Sequence, residues 1–600
     1  MGLKEALLKA YAEKGEAPPV VNQTDPKRVV LTRGSKGQKQ LVVVKYGKSA
    51  GRRASKVKTA IETAPALSVG QPVASTSRGQ DAGLLRPAQP TKPVANLSSR
   101  AIAKPGQKSA QQPVASVSEV RLDPNAKCLV TIVENLACHL LDVDVALGLK
   151  ESIHQRSGSD VHEMAFGLDF GTSSVKVVIG DLASDKSYAV PFIDAVGVDA
   201  YLLPSRVFES VTQVSSKQAG FFSLTEAEYA FRDLKLSLLG NPESAERQVE
   251  VIVFLALVIQ RARAWLFTHH QAVYKHVECL WQLRIGLPAA SALNNAYVPL
   301  FEKVLRSAWL LAGMDEKPDR ALAESVRDHV FKQGLDDSLE VQVIPEIAAQ
   351  IFGFVASNSF DKKAANRYLM VDVGAGTVDA SLFKVMPGRG GLWNFEFYTA
   401  VVQPYGVSNL HAYRVDWWHS KLKDADGADG LNEALQATKF ATDLGASVPV
   451  HNRNYFEGLH LTKDHPDQPD SDFFDKFWDQ VRGSTLYRAW KNGFLAQHQL
   501  TNTPMFLCGG GSRSDFYLKL KTKLISFSGC SWLSAEPWQL GFPGDLDANG
   551  IDEKDFDRLS VAYGLSKLNV GQITQASPLP KVAVEPPQPF TDRYIDKDQT

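Results

Sequence analysis

At two places in this 600-residue chain an acid on an apolar run leads straight into a small polar turn. In FGLDFGTSSVKVVIGDL, residues 166 to 182, Asp169 precedes Gly171, Thr172, Ser173 and Ser174. In RYLMVDVGAGTVDASLFKV, residues 367 to 385, Asp372 precedes Gly374, Ala375, Gly376 and Thr377. Glycines let the backbone N–H groups of a turn converge on an anion, and Ser or Thr hydroxyls add donors. An aspartate on the preceding strand can hold the water shell of a metal ion. The chemistry such residues suit is the gripping of a polyphosphate from two sides, with Mg²⁺ between the acids. A third stretch, TPMFLCGGGSRSDFYLKLKTKL (503 to 524), puts Gly509, Gly510, Gly511 and Ser512 between an apolar run and an amphipathic one. Glycines before a helix N-terminus admit close approach by a flat or anionic group.

The elements that must position these residues read as two hairpins, because β-branched apolar runs flank each turn. The Asp-x-Gly start recurs after 203 residues (169 and 372), and a repeated hairpin predicts two similar lobes facing each other. From about residue 161 to 568, strand-like runs (166 to 180, 187 to 193, 282 to 288, 367 to 385, 504 to 508) alternate with long amphipathic stretches such as ERQVEVIVFLALVIQRARAWLF. This is an α/β pattern. The expected organisation is a basic arm over 1–118, a docking or linker segment over 119–160, lobe I over 161–365, lobe II with a final return helix over 366–568, and a Pro-rich tail over 569–600.

A net charge of zero hides an uneven distribution: residues 1 to 120 hold 20 Lys+Arg against 7 Asp+Glu. The arm is rich in Ala, Ser, Pro, Gln and Lys from about residue 50 to 118 and is expected to be disordered; residues 29 to 49 could form a short basic hairpin. Its charge suits a polyanion, either nucleic acid or an acidic protein. Five scattered cysteines give neither a disulfide framework nor a zinc pattern, and no membrane span is read from the apolar runs. A cytoplasmic protein is expected. DLDANGIDEKDFD (545 to 557) imitates a calcium loop but has Phe556 where the bidentate Glu belongs, and is read as an acidic turn capping the final helix.

In order, the three motifs resemble phosphate 1, phosphate 2 and the adenosine motif of the actin-like ATPase superfamily, and are most similar to the nucleotide-binding domain of the 70-kilodalton heat-shock chaperones. VDVGAGTVDAS resembles that family's Asp-x-Gly-Gly-Gly-Thr-x-Asp-x-Ser, and FLCGGGSRSDFYLKL its Val-Gly-Gly-Ser-Thr-Arg strand and helix. FRDLKLSLLG (231 to 240) resembles the helix bearing the catalytic lysine, VIPEIAAQIFGFV (343 to 355) the connecting helix, and RLSVAYGLSKL (558 to 568) the last helix. The resemblance implies a two-lobed actin-like ATPase fold with duplicated ribonuclease H-like sheets, binding ATP with Mg²⁺ and hydrolysing it slowly as a conformational switch read by a protein partner.

Carried over by motif, Asp169, Asp372 and Glu346 would act on the water shell of Mg²⁺. Lys235 would steady the γ-phosphate and the attacking water, and Thr377 and Asp379 would line the hydrolysis site. Gly171, Thr172, Ser173, Gly374, Ala375 and Gly376 would donate to phosphates, and Gly509, Gly510, Gly511 and Ser512 would pack against the adenosine. The chain departs from the family where a Glu, Lys and Arg would clamp the adenine: Thr438, Ala441 and Thr442 stand there. Only about 32 residues follow Leu568, too few for a β-sandwich peptide-binding domain, so a complete chaperone is not expected. An actin-like filament-forming ATPase is the alternative, and a small-molecule kinase a weaker one, since GLDFGTSSVK also resembles the first motif of sugar kinases.

Overall fold

A computed structural model describes residues 120–579 apart from 133–138, 154–159, 215–216, 226–228, 294–296, 334–338, 358–359, 440–448 and 526–529, together with the short strands Thr32–Arg33 and Lys39–Gln40. Those two short strands pair antiparallel, within the hairpin expected at 29 to 49. The rest of the arm lies outside the described residues, as do Ala441, Thr442 and the end of the chain from residue 580.

Two mixed sheets dominate. The first is built on β1 (Asp160–Phe170), β2 (Ser174–Asp181), β3 (Lys186–Ala189), β4 (Val277–Leu287) and β5 (Glu340–Pro345), in the order β5-β4-β1-β2-β3. The second is built on β6 (Arg367–Val373), β7 (Val378–Pro387), β8 (Trp393–Gln403), β9 (Thr503–Cys508) and β10 (Ala535–Trp538), in the order β10-β9-β6-β7-β8. In each, the first three strands are an antiparallel meander and the last two run parallel to the first. The two sheets therefore share one connectivity, and the two acid-bearing hairpins, β1–β2 and β6–β7, occupy the same place in each.

Strand alternation sorts each hairpin into two faces. In the first sheet Phe166, Leu168, Phe170, Val175, Val177 and Ile179 point into a core shared with the helix Ala245–His269. Gly167, Asp169, Lys176 and Gly180 take the opposite face. There the helix Ser560–Lys567 lies so close that a Cβ at Gly167 would meet Ala562 O at 2.3 Å. In the second sheet Leu369, Val371, Val373, Val378 and Leu382 fill one core, while Met370 and Phe383 pack on the other face with Ile347, Ala349, Val561 and Leu565. The acid-bearing faces of both sheets thus meet a common pair of short helices, Glu346–Gln350 and Ser560–Lys567. Gly564 is where these helices cross, and a Cβ there would stand 1.9 Å from Ala349 O.

Ala245–His269 begins at Ser244, whose hydroxyl accepts from Arg247 N. By length and composition it is apolar enough to cross a membrane, which reading the runs for charge did not give; 78% of its apolar window is buried inside the fold. The chain also does not leave the fold at residue 568. Val570–Gln575 forms a strand that runs parallel to β8, so the segment expected as tail begins as a sheet edge. At the other end Val120–Cys128 pairs antiparallel with Phe456–Leu461, and Val120 and Val130 are buried with Val415, Trp418 and Tyr455. A chain starting at Glu119 should therefore keep the thermal transition of the full chain. One starting at Leu129 should lose about 2 kcal/mol or more, since it gives up buried Val120 and a paired strand. Parallel melting curves check both; an equal midpoint for the two truncations would show that the strand contributes nothing.

Candidate functional site

Each hairpin closes its turn in the same way. Gly171 N donates to Ser174 O at 3.2 Å, and Gly374 N to Thr377 O at 2.8 Å. Among the described residues the N–H groups of Thr172, Ser173, Ala375 and Gly376 find no protein acceptor, which leaves each turn two donors free for an anion. The carbonyl side of the second turn is held from behind by the start of the helix Val407–Leu422: Val407 N donates to Gly374 O at 3.2 Å and Ser408 N to Ala375 O at 2.7 Å. Ala375, which stands where the resembled motif has glycine, is not among the residues with positive φ, so its side chain causes no backbone strain. The two turns are neighbours. A Cβ added at Gly376 would lie 3.9 Å from Thr172 Cγ2 and 3.4 Å from Leu236 Cδ1, next to Lys235.

Register explains the charges. Asp169 pairs across β1–β2 with Lys176, and Asp372 pairs across β6–β7 with Asp379. Directly opposed residues share a face. In the first hairpin this gives an ion pair, Lys176 Nζ to Asp169 Oδ2 at 3.0 Å. In the second it sets two carboxylates side by side, and each turns to another element. Asp372 Oδ2 accepts from Gln350 Nε2 at 2.6 Å, and Asp379 accepts from Ala289 N at 2.9 Å and from Ser381 Oγ at 3.3 Å. Lys235, second residue of the helix Leu234–Gly240, reaches across to pair with Glu346 at the start of the connecting helix. Both ends of that pair are largely withdrawn from water.

The acids outnumber the cations, and their ionisation reflects it. Burial raises the pKa of Glu346, with Lys235 opposing and the charges of Asp169 and Asp372 adding to the rise. Asp372 is raised by burial, opposed by the Gln350 hydrogen bond and reinforced by Asp169. Asp379 is pushed up to about 7 by burial, with Ala289 N–H opposing and Glu346 and Asp372 reinforcing. Asp169, Asp372, Glu346 and Asp379 thus form one interacting cluster drawn from both sheets and the connecting helix. Gln350 Oε1 is buried beside it without a donor. The set is oxygen-only and includes an orphan acceptor, the donor type that a hydrated Mg²⁺ takes through its waters.

The glycine run borders the same cluster. Gly509 has φ +84°, and a Cβ there would fall 2.4 Å from Asp372 Oδ1, so only glycine lets β9 turn against β6 at this point. Ser512 Oγ donates back to Gly509 O at 2.8 Å, and Ser514 caps the following helix, Asp515–Lys523, by accepting from Phe516 N. Thr438 does not join the site: it is buried, and its hydroxyl donates to Leu435 O at 2.7 Å and lies against His411.

Sequence reading missed Lys176, Gln350 and Ala289. Only Lys176 left a signal, seven residues after Asp169 as Asp379 is seven after Asp372. It also missed a group formed by His451, Asp467 and Asp470 that could hold a metal ion. Asp470 there already accepts from Arg414 Nε and Asn452 N, and Asp467 from Arg453. In the imitation calcium loop Asp545 accepts from Tyr563 OH and pairs with Lys567 of the final helix. Compared with models of known protein families and with curated proteins, the chain matches none.

Proposed function

We propose that this protein is a Mg²⁺-dependent ATPase on the two-lobed actin-like architecture, most similar in plan to the nucleotide-binding domain of 70-kilodalton heat-shock chaperones, and that it works as a conformational switch. The observation that carries this reading is the equivalence of the two hairpins: the same place in sheets of the same connectivity, the same turn closure, and Asp169 and Asp372 acting on one another beside the Lys235–Glu346 pair. The free N–H groups of both turns would bind phosphate oxygens. Mg²⁺, when bound, would offset the charge of the β- and γ-phosphates. Lys235, held by Glu346, would donate to the γ-phosphate and orient the attacking water. Asp379, held by Ala289 N–H and pushed up to about 7, would be able to take a proton near neutrality. Closure of the two halves on the nucleotide would alter a surface read by a partner protein.

The test is competition binding. MgATP should bind, and GTP should compete within about a hundredfold, a difference of about 2.7 kcal/mol, because the buried Thr438 hydroxyl is already engaged with Leu435 O and His411 and phosphate contacts serve both nucleotides equally. A chain that binds neither nucleotide would refute the ATPase reading. A larger preference for ATP would show that another segment reads the base.

A further inference from the structure

Arg558 ends the short helix Glu553–Arg558, one residue before the helix Ser560–Lys567 that covers the acid-bearing face of the first sheet. Its guanidinium lies flat against the glycine run: a Cβ at Gly510 would be 3.1 Å from both Cζ and Nη1 and 3.3 Å from Nη2. Among the described residues this half-buried guanidinium makes no hydrogen bond and no ion pair.

The charges of Asp557, Asp169 and Asp372 nonetheless act on it favourably, and that of Arg513 opposes them. Each of these acids is already served by another donor: Asp557 by Arg513 at 2.6 Å, Asp169 by Lys176 at 3.0 Å and Asp372 by Gln350 at 2.6 Å. Lys235 is likewise paired with Glu346. A guanidinium stays charged and offers a rigid fork of donors that matches phosphate oxygens two at a time. Leaving such a fork half-desolvated and unpartnered has a cost that a bound anion would remove.

We infer that Arg558 is a ligand-binding residue that grips a phosphoryl group on the glycine-run side of the acid cluster. Under the nucleotide reading, on which this inference rests, that group is one retained in ADP, so Arg558 serves substrate and product alike and sets affinity rather than the rate of the chemical step.

The experiment titrates the full chain, wild type and the variants R558Q and R558K, with MgATP, MgADP, adenosine and inorganic pyrophosphate, beside a melting curve for each. R558Q should weaken MgATP, MgADP and pyrophosphate by about tenfold or more and leave adenosine within twofold, and R558K should recover part of the loss as a point charge without the fork. The inference is overturned if R558Q binds MgATP, MgADP and pyrophosphate within twofold of wild type, or if adenosine weakens in step with ATP. Wild-type binding of pyrophosphate that depends on Arg558, with no nucleotide binding, would uphold the inference and overturn the nucleotide reading. Binding of none of these ligands overturns both.

Discussion

Lys235→Ala should lower MgATP turnover by about a hundred- to a thousandfold while ATP affinity changes little. A preorganised cation aimed at charge that develops in the transition state contributes on that scale, and contacts made mainly in the transition state appear in kcat rather than in binding. The variant has a second consequence. Glu346 would lose the ion pair that opposes its burial-raised pKa, so its pKa would rise further, because burial without a partner disfavours the charged form. Asp169→Asn and Thr377→Ala should also reduce turnover, by about tenfold or more, if Asp169 faces the water shell of Mg²⁺ and the Thr377 turn meets the phosphates as proposed. Steady-state phosphate release by the three folded variants checks this. Turnover within twofold of wild type in all three would remove these residues from the chemistry.

The second large effect is on stability. Asp379 is an aspartate that burial pushes up to about 7 in the fold, against an ordinary value of 3.8. Between those values the folded chain holds a proton that the unfolded chain has released, so this group's contribution falls as pH rises through the window and is fully unfavourable above it. Asp379→Asn keeps an oxygen for Ala289 N–H without the charge. The variant should be more stable than wild type above pH 7, and the difference should shrink by about 1.4 kcal/mol per pH unit below that and disappear near pH 4. Comparing the two proteins cancels the opposite trend of His270, His329 and His411, which burial holds below the ordinary histidine value. Denaturant melts at a series of pH values measure it. A difference that does not vary with pH would mean that Asp379 is ionised in the fold throughout.

What was legible in the sequence was local. Both hairpins, the strand before the glycine run and the long helix announce themselves through periodicity and turn residues. Offsets of 203 between Asp169 and Asp372, Gly171 and Gly374, and Ser174 and Thr377 carry over into equivalent positions. Strand order was not legible, because β4 and β9 join their sheets across about a hundred residues of intervening chain. Nor were the partners that set the charges: Gln350 reaches Asp372, and Ala289 reaches Asp379, from other elements. Polar VGQITQ (570 to 575) read as tail because an edge strand with both faces wet lacks apolar alternation. Arg558 carried no signal at all, since its meaning lies in what the surrounding acids already bind.

The proposed function requires Asp169 and Asp372 to face one hydrated cation jointly at the phosphates. The most direct measurement is the Mg²⁺ dependence of ATP affinity in the full-length wild type and in the Asp169→Asn, Asp372→Asn double variant, by titration calorimetry with and without chelator. The expected result is that removing Mg²⁺ weakens ATP binding to the wild type by tenfold or more and leaves the double variant unaffected. Equal Mg²⁺ dependence in the two proteins, or ATP binding to the wild type that ignores Mg²⁺, would contradict it.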